Sequence, residues 1–195
     1  MGSANLNIDL KPSALMGIVD IVASTEVTNE LDLFSAFELQ RDFHAAALAR
    51  AQANNVQIIN STGDGFLFIV NEKEHWQYCL LSFVRGVLSD FQHILKRIES
   101  AKGRCLASGL RFGVSRGSVI ISADAVSGQG SAVGPAVNLA ARLCARARVN
   151  ELVMNQNVWE DAHSPVDDQD TSSHSYTDLK GFKARIDAVH KQISF

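Results

Sequence analysis

No window of this chain approaches the ~20 consecutive apolar residues that a membrane-spanning helix needs. A basic excess is missing too. Eighteen Lys and Arg stand against 21 Asp and Glu, for a net charge of −3. No cationic surface is therefore on offer to nucleic acid or anionic lipid, and neither is expected as a partner. An anionic ligand would have to be met at a local site, or through a metal. Cysteine is scarce: Cys79, Cys105 and Cys144 form neither a CxxC pair nor a spaced cluster. Such a set reads as reduced core thiols of a cytosolic protein. The six histidines show no HxxxH or HxH spacing, so no histidine metal site is expected. The opening MGSANLNIDL has no basic n-region and no apolar h-region, so it is not a signal peptide. Leu6 stands where a myristoylation signal requires Ser or Thr. The expected location is cytoplasmic. Repeats, linkers and low-complexity tracts are absent.

What is there is an ordinary globular composition, 46% hydrophobic and 20% charged over 195 residues, enough for one domain with a real core. We expect an N-terminal extension over 1–12 and a single domain over 13–195. ALMGIVDIVAS (14–24) is rich in β-branched residues and predicts a buried strand, interrupted by Asp20. From Thr25 the apolar period turns helical, through Leu31, Phe34, Phe37, Leu39, Phe43 and Ala47, as far as Ala53. VQIIN and FLFIV predict two short strands joined through STGDG. A second long helix is expected over 74–100, its apolar stripe facing the core. ASGLRFGVSRGSVIIS (107–122) reads as two strands turning at Arg116 and Gly117, SGQGSAVG (127–134) as a glycine-rich loop, and 135–148 as a helix with Pro135 in its first turn. ELVMN predicts a strand, QNVWEDA a short helix, HSPVDDQDTSSHS (163–175) a polar surface loop, and the last twenty residues strands around a Lys-Gly turn. The order strand, helix, strand, strand, helix, strand is the split βαβ, ferredoxin-like arrangement: an α+β fold with a C-terminal extension.

Two acids stand out. Asp20 lies inside an apolar strand, where a carboxylate is disfavoured unless paired, protonated or bound to metal. Asp64 lies between two glycines in NSTGDGFLFIV. Each alone has a plainer reading, a strand-end carboxylate and a tight turn. Together they say more, because the first strand and the hairpin are neighbours in a split βαβ sheet. Two converging carboxylates suit Mg²⁺ or Mn²⁺, which usually bring triphosphate oxygens as further ligands. After Asp20 the chain passes from strand to helix at Ala23, Ser24 and Thr25, where free N–H groups and the helix dipole favour phosphate. Asn138 and Arg142 lie four apart, on one helical face. An amide beside a guanidinium can orient a sugar and stabilise charge on a phosphoryl group in transit.

IVDIVAST, TGDGF, LRFGVSRGSV, VGPAVNLAARL and LKGF stand in the order and spacing of the class III nucleotidyl cyclase catalytic domain, which the chain resembles over residues 13–195. The resemblance implies that Asp20 and Asp64, with the Ile21 carbonyl, hold two divalent cations, Mn²⁺ or Mg²⁺. It implies that Asn138 orients the ribose, Arg142 stabilises the α-phosphorus, and Lys180 grips the terminal phosphates. It places the sites between the protomers of a homodimer, aspartates from one and Asn138 and Arg142 from the other. It also implies a base pocket at Ile18, Asn60, Ser131, Ala132 and Val137. Adenylate cyclases of this class carry lysine four residues before the second aspartate, and aspartate or threonine seven before the asparagine. Guanylate cyclases typically carry glutamate and a small residue. Here the two positions hold Asn60 and Ser131. A compact domain without the purine pair is similar to the bacterial pyrimidine cyclases of anti-phage signalling, whose cyclic UMP or cyclic CMP is read by a separate effector protein. UTP is the expected substrate. The alternatives are CTP, a purine cyclase with an atypical pocket, and a catalytically silent cyclase-like module for nucleotide sensing or partner interaction. Where the family often has an arginine this chain has Ser118, and Arg116 is a candidate substitute for its phosphate contact.

Overall fold

Leu15, Val19 and Ile21 alternate with Ala14, Met16 and Ile18 along the first strand. Both sets are apolar, so this strand must be covered on both faces. The computed structural model, which describes residues 8–61, 63–72, 75–123, 130–162 and 170–194, places it at the centre of the molecule. In chain order the elements are β1 (Ile8–Ile21), α1 (Ser24–Glu30), α2 (Leu33–Ala53), β2 (Val56–Ser61), β3 (Gly65–Val70), α3 (Trp76–Lys102), β4 (Leu110–Ala123), β5 (Gly130–Val133), α4 (Pro135–Arg146), β6 (Glu151–Asn155), α5 (Gln156–Ala162), β7 (Thr171–Tyr176) and β8 (Ile186–Gln192). The sheet runs β2-β3-β1-β4-β6-β8-β7, with β5 paired to β4. β1 is antiparallel to both β3 and β4, and β2 to β3. This is the expected α+β split βαβ core, and β6, β8 and β7 extend it.

The two faces have different cores. Phe43 of α2 and Phe83 and Phe91 of α3 pack over Phe66, Phe68 and Phe112 of the sheet. Phe43 meets Phe91 edge-on with centroids 5.4 Å apart, the arrangement that aromatic quadrupoles favour. On the opposite face lies α4. Ala136, Leu139, Ala140, Leu143 and Cys144 recur at helical spacing and are buried. Gly113 of β4 permits the close seat: a Cβ there would lie 2.2 Å from the Ala140 oxygen and the Cys144 nitrogen. Of the three cysteines only Cys144 is buried, Cys79 being half-buried and Cys105 exposed. Burial pushes the Cys144 thiol up to about 12.

Several boundaries differ from the sequence reading. β4 is one strand, where a turn at Arg116–Gly117 was expected. Arg116 and Gly117 stay paired with Leu15 and Ala14 of β1, and the irregularity falls instead on β1, between Lys11 and Ala14. Pro12 in that bulge has no N–H to give to a ladder, which hides the start of β1 at Ile8, inside the expected 1–12 extension. The expected helix from Thr25 to Ala53 is broken at Leu31–Asp32, and Asp32 caps α2 by accepting from the Ser35 N–H at 3.1 Å. Part of the expected glycine-rich loop is β5. Part of the expected polar loop is β7, a largely exposed edge strand with almost no apolar residues to reveal it. The remainder of those two loops, 127–129 and 163–169, lies outside the described residues.

Candidate active site at the end of β1 and the β2–β3 hairpin

Strand register decides which side chains meet. Asp20 is the penultimate residue of β1, paired with Gly65 on one side and Arg111 on the other. Asp64 directly precedes β3, and its carbonyl accepts from the Ile21 N–H at 3.2 Å. Only glycine fits at the next position, since a Cβ on Gly65 would lie 2.1 Å from the Val19 oxygen. The GDG tripeptide therefore closes the hairpin onto the end of β1 and delivers Asp64 beside Asp20, as expected. Burial raises the Asp20 carboxyl above its ordinary value, Arg111 works against that by hydrogen bond and by charge, and Asp64 raises it further. Arg111 Nε donates to Asp20 Oδ2 at 2.7 Å, and its Nη2 bonds the same oxygen. Ser24 Oγ–H donates to Asp64 Oδ2.

Two hard carboxylates held together, the Asp64 charge adding to the rise at Asp20, fit a divalent cation, and the Ile21 carbonyl is the nearest backbone oxygen in sequence. Among the described residues no group of three or more His, Cys, Asp or Glu side chains assembles. A cation here would complete its shell with backbone, water or ligand oxygens. A cleft of about 370 Å³, lined by Ser24, Thr25, Thr28, Asn29, Gln40, Gly63 and Asp64, opens on the Asp64 side of the pair. Ala23, with φ 56°, turns the chain from β1 into α1 at its edge. Clefts of about 570 and 560 Å³ elsewhere contain neither aspartate, so volume does not mark the chemistry.

The residues expected around a base are partly assembled. Asn60, Leu67, Ile18 and Gly113 form one cross-strand row over β2, β3, β1 and β4. Ile18, Ala132 and Val137 pack on one apolar cluster with Ile59 and Leu67. Asn60 Oδ1 is buried and has no hydrogen-bond partner among the described residues. Ser131 is not part of this group: it pairs with Ser122 and is exposed, while Ala132 beside it is packed.

Asn138 and Arg142 are exposed on the outer face of α4 and lie away from the sheet, while the buried stripe faces it. Among the described residues neither has a side-chain hydrogen bond or ion pair. Lys180, likewise exposed and unpaired, stands at the turn before Gly181, whose φ is 90°. A single chain thus joins Asp20 to Asp64 but brings neither Asn138, Arg142 nor Lys180 into their hydrogen-bonding shell. Sequence reasoning missed Arg111. Nothing local marks it, and its role emerges only once β1 and β4 are in register. Gln40, which lines the cleft from α2, was not singled out either. Arg116 is engaged elsewhere, by Glu72, by Asp161 and over the Trp76 ring at 5.2 Å.

No protein-family model matches this chain, and no curated protein matches it in sequence. Solved structures do. The guanylyl cyclase Cya2 has a TM-score of 0.81 at 12% identity, over 93% of this chain and 92% of its own. The adenylyl cyclase CyaB from P. aeruginosa has a TM-score of 0.75 at 17% identity, over 97% and 98%. The guanylate cyclase domain of RhGC from Catenaria anguillulae, solved in complex with GTP, has a TM-score of 0.69 at 16% identity, over 93% and 97%. The fold is that of class III cyclase catalytic domains.

Proposed function

We propose that this protein is a class III nucleotidyl cyclase that converts a nucleoside triphosphate, UTP above others, into its 3′,5′-cyclic monophosphate and pyrophosphate. The observation that carries this is the meeting of Asp20 and Asp64 at one end of the central strands, beside a cleft that opens on the first turn of α1. Two divalent cations bound there would acidify the ribose 3′-hydroxyl and neutralise triphosphate charge. The bond formed is O3′–Pα, the bond broken is that from Pα to the bridging oxygen of the β-phosphate, and the hydroxyl proton leaves to solvent. Asp20 and Asp64 hold the cations, and Ser24 fixes the Asp64 carboxylate. Ala23, Ser24 and Thr25 border the phosphates. Asn138 orients the ribose, Arg142 stabilises charge at the transferring phosphorus, and Lys180 meets the terminal phosphates. The last three come from the partner of a homodimer, which reconciles their exposure with a catalytic role.

The base preference is taken from the resemblance to the pyrimidine cyclases, and Asn60 is compatible with it without excluding the other bases. The buried, unpartnered Oδ1 of Asn60 needs a donor. The N3–H of uracil supplies one while O4 accepts from Nδ2, so a single amide reads both groups of the uracil edge. The apolar floor of Ile18, Ala132 and Val137 would lie under the ring. The product would be read in the cytoplasm by a separate effector, in the manner of the anti-phage pyrimidine cyclases that the sequence resembles. Incubation with Mn²⁺ and each of the four triphosphates separately tests the whole reading. Cyclic UMP should dominate, and Asp20→Ala or Asp64→Ala should abolish it while leaving the fold intact. Undiminished cyclisation in either variant rejects the mechanism, and a preference for ATP, GTP or CTP rejects the base assignment.

A further inference from the structure

The α4 face that carries Asn138 and Arg142 continues to Arg146, at i, i+4 and i+8. Arg146 Nη2 donates to Asp178 Oδ2 at 2.5 Å, and its guanidinium lies 5.2 Å from the centroid of the Tyr176 ring. Both partners belong to the segment that leads from the end of β7 into the Lys180–Gly181 turn. Tyr176 is itself anchored. Its oxygen is 2.5 Å from His190 Nε2, and His190 Nδ1 is 3.0 Å from Glu151 Oε2. With Nδ1–H donating to the carboxylate, Nε2 is left to accept from the tyrosine hydroxyl. The same Glu151 oxygen accepts from the Arg148 N–H at 2.6 Å, two residues past the end of α4. The contacts therefore begin on the last residue of α4 and end on the chain two residues beyond it. Leu179 is buried in the cluster of Leu139 and Leu143, whereas Lys180 beside it is exposed.

We propose that Arg146, acting through Asp178 and Tyr176, is a positioning residue that fixes the Lys180 turn against the Asn138/Arg142 face of α4. The groups that meet the ribose, the α-phosphate and the terminal phosphates are then one rigid unit of one protomer. The inference rests on the reading of Lys180 as a triphosphate contact. An isolated surface ion pair is weak; here the ring beneath the guanidinium and the buried leucine between Asp178 and Lys180 restrict the geometry it sets.

The test is steady-state kinetics with the triphosphate that the wild-type protein cyclises best. Arg146→Ala should raise KM about three- to fivefold and change kcat by less than about twofold. Lys180→Ala should raise KM more, and adding Arg146→Ala to it should cost nothing further. Exchanging the charges, Arg146→Asp with Asp178→Arg, should recover part of the loss, the ion pair being restored and the ring contact of Arg146 not. Amide exchange over 177–183 should quicken in Arg146→Ala. An unchanged KM, or a rise that persists undiminished in the Lys180→Ala background, overturns the inference. A wild-type protein that cyclises no triphosphate overturns the proposed function instead. Amide exchange then decides alone: faster exchange over 177–183 upholds the clamp, and unchanged exchange overturns it.

Discussion

Asp20 occupies a position where its charge costs the fold something. Its folded pKa is raised above the ordinary 3.8, burial outweighing Arg111, with Asp64 adding to the rise. The folded state thus binds this proton more tightly than the unfolded chain. The stability contributed by the group is complete below about pH 3.8 and is lost as pH rises through the elevated folded value. At pH 7, without divalent cations, Asp20→Asn should melt higher than the wild type, since the amide imitates the protonated acid. The gap should close as the pH is brought down to 3.8. Mn²⁺ should then stabilise the wild type and not the variant. Thermal melts over that range check both statements, and a variant less stable than wild type at pH 7 contradicts them. Asp20 and Asp64 were legible in the sequence because an acid in a β-branched run and an acid between glycines are both locally anomalous. Arg111 was not: an arginine in a strand is unremarkable until the register sets it opposite a carboxylate.

At the scale of elements, what pattern could reveal was revealed where burial leaves a period. β1, α3 and α4 bury one or both faces and show it in sequence. β7 does not, because almost all its side chains are exposed, and its strand state comes from pairing with β8. The misplaced turn in β4 has a similar origin. Arg-Gly is a turn signal locally, but ten further ladder pairs with β1, on either side of Arg116–Gly117, outweigh it. The close seat of α4 on β4 is an element-scale property with one weak point. Gly113→Ala would drive a methyl into helix backbone that cannot rotate away. It should cost about 1–3 kcal/mol of stability and shift α4 outward, carrying Asn138 and Arg142 with it. Urea unfolding gives the first quantity, and loss of cyclase turnover in the still-folded fraction reports the second.

Across the whole molecule, the candidate catalytic groups divide into two sets that one chain keeps apart. Asp20, Asp64 and Ser24 sit at the end of the central strands, tied by the hairpin and by α1. Asn138, Arg142 and Lys180 sit on the outer face of α4 and the turn bracketed to it, without side-chain partners among the described residues. A two-fold axis would place the first set of each chain against the second set of the other and create two equivalent sites. The consequence is complementation. Asp64→Ala and Arg142→Ala should each be inactive alone, because every site of either homodimer lacks one group. Mixed in equal amounts and allowed to exchange subunits, half the dimers become hybrids, and each hybrid holds one site with both residues intact. Turnover should therefore return to about one quarter of the wild-type value, with a dependence on total protein concentration that follows the dimer equilibrium. A mixture that stays inactive while light scattering shows exchanged dimers would mean that each site is built within a single chain, and the division of roles between protomers would fall.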